Sequence, residues 1–360
     1  MVEMVELNRR AYRPDHVSPP GETLRETIEA WDMTQASLAE RTGKTVKAIN
    51  EIVQGKSAIT PETALQLERV LGVPAAFWLN REARYQESRA RAAESARLSA
   101  DLEWVRSFPV RRMEAAGWLL ETETKGERLQ GLLSFFGVAS VDAWNSLWKD
   151  VTALYRSAAG FSPGAGAVAA WLRRGELLAR EIDTLPWDQA GFSRILRDIR
   201  RLKLDPATKA IPEAVSRCAS VGVVLVVVPE LPGTRLFGAT RWLSPSRALV
   251  QLSRRYGTED QLWFSFFHEA GHVLRHGKKE FFLEDQSRKS RAEDEADRFA
   301  SDLLIPPRDL ADFLATWDRS LAAVAEFAAR IELAPGILVG RLQHDGHLRR
   351  PSGNGLKRRL

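Results

Sequence analysis

Three of the six histidines in this chain fall within nine residues, and their spacing restricts how that segment can fold. On an α-helix, His268 and His272 project from one face because they are four residues apart, so both can bind one metal ion. Glu269 then lies about 100° around the helix axis from His268, close enough to hold a water on that ion. The segment therefore predicts a helix that carries a metal site.

The residues around these histidines predict where the helix begins, ends and packs. The range 258–261, Thr-Glu-Asp-Gln, matches a capping box at a helix start. Trp263, Phe266 and Phe267 would then bury against a neighbouring layer. A stop is expected near 276–277, His-Gly.

The periodicity changes from helical to extended before this helix. The β-branched run over 221–228 predicts a buried strand. The ranges 235–243 and 247–252 predict two more strands, joined by a Ser-Pro-Ser turn at 244–246. Three strands followed by helices indicate an α+β layer in a chain that is otherwise mostly helical.

A third metal ligand is expected from a later helix. A catalytic zinc takes three protein ligands and keeps one position for water. In the range 290–300, Glu293 and Asp297 share a helical face, so Glu293 can bind the metal while Asp297 accepts a hydrogen bond from a ligating imidazole. The alternative is a capping box in which Ser290 and Glu293 occupy each other at the helix start.

His276 fails as a ligand alongside His268, because eight helical residues separate the two by roughly 12 Å. His276 could instead support a ligand, contact substrate or face solvent. The donor for an oxyanion stays open among Tyr256, Arg254 and His276. An extended substrate could pair with the strand over 237–243.

The ordered combination of these residues resembles the ImmA/IrrE family of zinc metallopeptidases, over about 215–310. It consists of His268-Glu269-x-x-His272, Glu293-x-Glu295-Ala296-Asp297-x-Phe299-Ala300 and Leu303-Leu304-Ile305-Pro306. The resemblance implies a gluzincin-like endopeptidase that uses Zn²⁺, with Glu269 as the base, and that often cleaves a DNA-bound repressor under stress or in mobile-element regulation. Asp297 departs from the pattern, because relatives can carry Asn there.

The N-terminal part of the chain predicts a helix-turn-helix. The range 22–32 is amphipathic through Leu24, Ile28 and Trp31. A helix capped by Thr34 and ended by Gly43 follows. The next helix, about 45–53, would turn four apolar residues inward, and Gly55 ends it; these residues are Val46, Ile49, Ile52 and Val53. A further helix starts at Thr60-Pro61.

This arrangement resembles the helix-turn-helix of the Cro/phage-repressor class, particularly HigA-type antitoxins, over roughly 20–85. Carried over by position, Gln35 would contact a phosphate, and four residues would face the groove: Lys44, Thr45, Lys47 and Asn50. The range 41–56 holds four Lys or Arg against Glu51, which suits salt-sensitive DNA binding, with a homodimer possible. The alternative is a helical module that kept the fold but binds protein.

Between these modules the chain is helical and rich in tryptophan, which favours packing over a pocket for a small effector. We therefore divide the chain into a DNA-binding domain over 1–85, a helical middle over 86–215, a metallopeptidase domain over 216–335 and a tail over 336–360. From residue 341 onward the tail carries six Lys or Arg against one Asp and is expected to be disordered.

The composition favours a soluble protein in the cytoplasm. The single cysteine excludes an internal disulfide, and no apolar run approaches the ~20 residues of a membrane span. The sequence thus predicts a zinc endopeptidase with a DNA-binding module that cleaves a repressor or related regulator. The alternative is an antitoxin-like transcriptional regulator whose zinc site is structural or sensory.

Overall fold

The computed structural model describes residues 17–149, 164–202, 206–278, 282–284 and 290–360. The chain forms two compact units, Met1–Ala100 and Asp101–Leu360. The predicted boundary at residue 85 falls inside a helix of the first unit, Ala75–Leu98. The four-part division remains a prediction. In the described ranges, no helix has both the length and the apolar composition that a membrane crossing requires.

From residue 17 onward, where its description begins, the first unit contains five helices. They are α1 (Pro20–Ala30), α2 (Gln35–Thr42), α3 (Val46–Val53), α4 (Pro61–Leu71) and α5 (Ala75–Leu98). Their starts follow from local chemistry, because the hydroxyls of Thr34, Thr45 and Thr60 each accept a hydrogen bond from the backbone N–H three residues on. Gly43 ends α2 at φ 68°, a conformation that favours glycine. The helix-turn-helix predicted from the sequence is confirmed.

Two residues of this unit are not where the sequence pattern placed them. Trp31 follows the last residue of α1 and is 56% exposed, because the helix ends before it. Val46, predicted to face inward, is 52% exposed. It is the first residue of α3 and precedes the buried positions of that helix, which are Ile49 and Ile52. The exposed start of α3 therefore presents an apolar side chain.

In its described residues, the second unit is mainly helical and contains one sheet. Its helices are α6 (Val110–Ala115), α7 (Lys125–Phe136), α8 (141–149), α9 (Ala165–Ala179), α10 (Gln189–Leu202), α11 (Ala207–Ala219), α12 (Glu259–Arg275), α13 (Arg291–Leu304), α14 (Pro307–Thr316), α15 (Leu321–Arg330) and α16 (Pro335–His344). Its strands are β1 (Val223–Val227), β2 (Gly238–Ser244), β3 (Arg247–Leu252) and β4 (Phe282–Glu284).

The sheet has the strand order β1-β3-β2-β4. β1 runs parallel to β3, and β2 is antiparallel to both of its neighbours. The prediction of a mostly helical α+β fold with a small sheet is confirmed. β4 was not predicted, because three residues carry too little pattern to identify a strand. It pairs with the first half of β2, so part of the edge proposed for an extended substrate is already occupied.

The sheet lies between α9 and α12, which positions the site on α12. On one face, the Trp171 indole of α9 donates to the Val228 carbonyl at 3.0 Å, and the Gln251 amide of β3 donates to the Trp171 carbonyl at 2.7 Å. On the other face, the Thr240 hydroxyl of β2 lies 3.3 Å from the Glu269 carbonyl of α12. A helix covered by a sheet along its length has little freedom to rotate.

Three tryptophans of the middle region, Trp104, Trp144 and Trp148, share one aromatic cluster. Trp104, Phe108, Phe136 and Trp144 form edge-to-face ring contacts with centroids 4.6 to 5.6 Å apart. Trp148 adds to the same cluster at 5.5 Å from Phe136. These aromatics therefore belong to a core.

The expectation of a disordered tail over 336–360 is wrong. Its first part is helix α16, and a short 3-10 turn follows at Asn354–Leu356. Arg359 then forms an isolated antiparallel bridge with Thr258, ahead of α12. Composition suggested disorder because the tail is basic and contains Pro, Gly and Ser, but two of its basic residues, Lys357 and Arg358, have acidic partners in the fold.

Those partners lie in the first turn of α12. Lys357 Nζ is 2.7 Å from Asp260 Oδ2, and the Glu259 backbone N–H donates to the Arg358 carbonyl at 2.9 Å. Thr258 makes no side-chain cap bond, so the predicted capping box is absent. The tail satisfies the start of α12 instead.

Candidate metal centre

Helix α12 holds the predicted site because its apolar residues fix its rotation. Trp263, Phe266 and Phe267 are at most 2% exposed and belong to the main core of the second unit. Because those three side chains pack in the core, His268, Glu269 and His272 project from the other faces of the helix. All three are buried as well.

Three of the predicted site residues converge on one point. His268 Nε2 lies 3.0 Å from both His272 Nε2 and Glu293 Oε2. His272 Nε2 is 3.6 Å from the same carboxylate oxygen. All three potential ligand atoms fall within 4.8 Å of one another. Glu293 comes from α13, so two helices build the cluster.

Close packing of these two helices brings the carboxylate to the histidines. Gly271 of α12 faces α13, where a Cβ would lie 3.1 Å from the Phe299 ring and 3.3 Å from the Ala296 Cα. A larger side chain at position 271 would force α12 and α13 apart. The absence of a side chain at Gly271 thus allows Glu293 to reach the histidines.

The cap at the start of α13 is only half of a capping box. The Ser290 hydroxyl accepts from the Glu293 N–H at 3.2 Å, as expected for an N-cap residue. The Glu293 carboxylate, however, faces His268 and His272. This is the arrangement that a ligand role requires, whereas the alternative needed the carboxylate at the helix start.

The protonation states suit a divalent ion. Burial would raise the pKa of Glu293, but hydrogen bonds with His268 and His272 outweigh it and hold the pKa at about 2. Burial is the main cause that lowers the pKa of His272, against the opposing hydrogen bond with Glu293. An ionised carboxylate and a neutral imidazole are the forms that bind metal.

The remaining ring nitrogen of His268 meets the residue predicted to support it. His268 Nδ1 lies 2.7 Å from Asp297 Oδ1, one turn along α13 from Glu293. A carboxylate in this position fixes the tautomer and orientation of a ligating imidazole.

Glu269 is completely buried beside this cluster, and the strand behind it explains how it fits. Gly238 of β2 lies directly against the Glu269 side chain. A Cβ at position 238 would lie 2.5 Å from Glu269 Oε1 and 2.7 Å from Glu269 Cγ. Sequence reasoning missed Gly238. The only available signal was a glycine within a predicted strand, which often marks a close approach of another group.

His276 lies outside the three-residue cluster but contacts it. Its Nδ1 is 2.9 Å from His272 Nδ1, and its Nε2 is 3.5 Å from Glu295 Oε2. Phe282 of β4 stacks on the His272 ring with centroids 4.0 Å apart. Of the roles left open for His276, support of a ligand agrees best with these contacts. The sequence analysis assigned no role to Glu295. The local signal was that His276 follows His272 by four residues, the same spacing that relates His268 to His272, but nothing near His276 indicated a partner on α13.

The other candidates for an oxyanion donor lie on the loop before α12. Tyr256 is 59% exposed, and its ring packs 5.5 Å from that of Phe237. The oxyanion role of Tyr256, Arg254 or His276 remains a prediction.

The residues predicted to meet DNA lie at the start of α2 and along α3. Gln35 and Asn50 contact each other, with the Asn50 amide donating to Gln35 Oε1 at 3.2 Å. Thr45 is the N-cap of α3, and Lys44 precedes it half-buried. The Lys47 side chain is 85% exposed and lies 4.0 Å from Glu51. The structure thus places all five on one helix-turn-helix; their contacts with DNA remain a prediction.

The donor set of the cluster fits zinc. Two imidazole nitrogens and one carboxylate oxygen form the His₂Glu set of catalytic zinc sites. Among the described residues, the group that could hold a metal has these three members, whereas a structural zinc normally has four protein ligands.

Comparisons with known proteins match the two ends of the chain separately. Residues 24–78 match a family model described as helix-turn-helix, and residues 233–343 match a peptidase family model described as the IrrE N-terminal-like domain. The helix-turn-helix and the IrrE-like domain expected from the motifs are thereby confirmed.

One curated relative and several solved structures are similar to the N-terminal part. Virulence-associated protein I of Dichelobacter nodosus is 39% identical over 67 residues, which covers 18% of this chain and 62% of that protein. A HigA-family addiction module antidote protein from Coxiella burnetii is 28% identical, with a TM-score of 0.23, over 24% of this chain and 94% of its own. The antitoxin HigA of Pseudomonas aeruginosa, solved with the higBA promoter, is 30% identical, with a TM-score of 0.22, over 23% and 91%.

Proposed function

We propose that this protein is a zinc-dependent endopeptidase with a DNA-binding helix-turn-helix module, and that it cleaves a transcriptional repressor or related regulator in a stress or mobile-element response. The convergence of His268, His272 and Glu293, with Glu269 buried beside them, is the observation that carries the proposal. The match to an IrrE-like peptidase family over 233–343 supports it.

His268, His272 and Glu293 would hold the ion. When bound, zinc polarises the scissile carbonyl and makes an attacking water more acidic. Glu269 then accepts the proton of that water and delivers it to the leaving amide nitrogen. Because Glu269 is buried against Gly238, its carboxylate is held in one position, and this position fixes the geometry of proton transfer.

The alternative function, a regulator with a structural or sensory zinc, is less well supported by the site. A structural site needs no base, yet Glu269 is fully buried next to the cluster. A structural zinc site also normally has a fourth protein ligand, which leaves no position for water. A three-member donor set beside a buried carboxylate favours catalysis instead.

The DNA-binding part of the proposal rests on α2 and α3. The exposed residues of α3 include Lys47, which supplies charge, and Val46, which supplies an apolar contact for a base edge such as a thymine methyl. Gln35 would contact a phosphate and orient Asn50 through their hydrogen bond. This module would bring the peptidase to DNA-bound regulators, and a homodimer would read two half-sites.

The peptidase proposal is tested by comparing wild type with Glu269→Gln in cells and sequencing new protein N-termini. We expect cleavage sites in one or a few DNA-binding proteins with wild type, and their loss in the variant although zinc binding is retained. Glu326→Gln, which alters an exposed carboxylate on α15, is the matched control and should cleave normally. The same N-termini with Glu269→Gln would exclude Glu269 as the base, and a zinc-loaded wild type that yields none would refute the peptidase.

The DNA proposal is tested by measuring binding to the protein's own promoter across salt concentrations. The double variant Lys44→Ala, Lys47→Ala should bind more weakly, and the slope of log K against log salt should fall by about 0.9 per lost phosphate contact. The double variant Arg84→Ala, Arg97→Ala removes the same two charges from exposed positions on α5 of the same unit and controls for net charge. An unchanged slope in the lysine variant would remove the assignment of α3.

A further inference from the structure

We infer that His276 and Glu295 form a positioning relay behind His272, which sets the tautomer and orientation of this imidazole for metal binding. The inference rests on the proposed function, because it assigns two more residues to the same site. Neither belongs to the cluster of possible ligands.

The two ring nitrogens of His272 face different partners. Nε2 points into the cluster, 3.0 Å from His268 Nε2 and 3.6 Å from Glu293 Oε2. Nδ1 points away from it and lies 2.9 Å from His276 Nδ1. A metal on Nε2 requires that nitrogen to be unprotonated, so the ring proton must be on Nδ1. His272 then donates to His276, and His276 Nδ1 accepts.

This direction of the hydrogen bond determines the state of His276. If its Nδ1 accepts, its own proton is on Nε2, which faces Glu295 Oε2 at 3.5 Å. At that distance the contact is electrostatic rather than a short hydrogen bond. The carboxylate still favours a proton on the facing nitrogen. The neutral tautomer of His276 that accepts from His272 is therefore the one that Glu295 supports.

Glu295 is itself held in place. Its Oε1 accepts from the Arg291 guanidinium at 2.9 Å, one turn earlier on α13. The contact with Arg291 thus fixes the position of the carboxylate at the end of the relay.

Stacking completes the placement of His272. The Phe282 ring lies nearly parallel to the imidazole, at 19° and with centroids 4.0 Å apart. It fixes the ring plane but supplies no hydrogen bond. His268 has a direct carboxylate partner in Asp297, and His272 has an equivalent reached through His276. Both supporting carboxylates come from α13, the helix that also provides Glu293.

The relay is tested by zinc affinity, measured by competition with a chromophoric chelator on the full-length protein. Loss of a group that supports a ligating histidine weakens metal binding by about 10- to 100-fold. We expect that loss in His276→Ala, a smaller loss in Glu295→Gln, and partial recovery in His276→Asn, whose amide oxygen can still accept from His272. His344→Gln, an exposed histidine on α16, is the matched control and should bind zinc normally.

Two further measurements separate positioning from folding and from ligation. The thermal unfolding of the zinc-free His276→Ala protein should match that of wild type, and the visible spectrum of its Co²⁺ form should change in shape while staying tetrahedral. Wild-type zinc affinity in His276→Ala would overturn the relay. Complete loss of binding, as in His268→Ala, would overturn it too, because His276 would then be a ligand. Failure of the proposed function looks different: wild type itself would bind no zinc, or would bind zinc and cleave nothing.

Discussion

Gly238 should be as important for catalysis as a residue that contacts substrate, although it has no side chain. A Cβ at this position would lie 2.5 Å from Glu269 Oε1 and 2.7 Å from Glu269 Cγ. Non-bonded atoms of this kind approach to about 3.5 Å, so in Gly238→Ala the carboxylate must retreat by about 1 Å. Glu269 is completely buried, so it has no solvent-facing space to move into.

Such a displacement has a calculable consequence for rate. A misplacement of about 1 Å in a catalytic group can reduce the rate about 100-fold, equivalent to about 2.7 kcal/mol of transition-state stabilisation. Overpacking of the strand against α12 should reduce the free energy of unfolding by about 1 to 3 kcal/mol. Zinc affinity should change little, because the three atoms nearest to a Cβ at position 238 all belong to Glu269 and none to His268, His272 or Glu293.

The assay compares kcat/KM for a cleaved substrate, zinc affinity and thermal stability in Gly238→Ala and Gly126→Ala. Gly126 lies in α7, where a Cβ would meet nothing within 4 Å, so this control tests the glycine substitution alone. A Gly238→Ala enzyme with wild-type kcat/KM would refute the reasoning. It would mean either that the strand yields instead of Glu269, or that the buried position of Glu269 is irrelevant to the reaction.

Three further outcomes follow from contacts elsewhere in the chain. Lys357→Ala should lower the free energy of unfolding by about 3 kcal/mol, because it removes the cation that lies 2.7 Å from Asp260, whose side chain is only 9% exposed. Arg359→Ala should not, and equal losses in the two variants would contradict this prediction. Burial raises the pKa of the Cys218 thiol, so the thiolate is scarce at neutral pH and a thiol reagent should react only after unfolding; rapid labelling of the native protein would disprove it. Glu51→Gln removes the acidic residue of α3 and should strengthen promoter binding, most at low salt; weaker binding would argue against that helix facing DNA.

Much of the site could be predicted because its chemistry follows from spacing within single helices. The i, i+4 relations of His268 with His272, and of Glu293 with Asp297, are properties of any α-helix. The caps predicted at Thr34 and Thr60 are likewise local, and the structure contains both of them. Local rules also identified three of the four strands.

The errors arose where a partner distant in sequence decides the outcome. Thr258 has the sequence of a capping box, but its side chain makes no cap bond, and the tail bonds to the next residue instead: the Arg358 carbonyl, roughly a hundred residues later, accepts from the Glu259 backbone N–H. Nothing near either segment reveals the other. Val46 has the spacing of a core residue, but it lies in the first turn of α3, where no other element covers it enough to bury it. Gly238 is important only because Glu269 lies behind it.

The contacts around the cluster also show why α13 acts as a single unit. Glu293 and Asp297 share one face of α13 and meet the histidines at Nε2 and Nδ1 respectively, while Glu295 reaches His276 from a neighbouring face. Three carboxylates on one rigid helix cannot be adjusted separately, so the distance between α12 and α13 sets all three contacts together. Gly271 permits a close approach of the two helices, since a Cβ there would lie 3.3 Å from the Ala296 Cα, so a larger residue at this position should disturb the contacts of Glu293, Asp297 and Glu295 together.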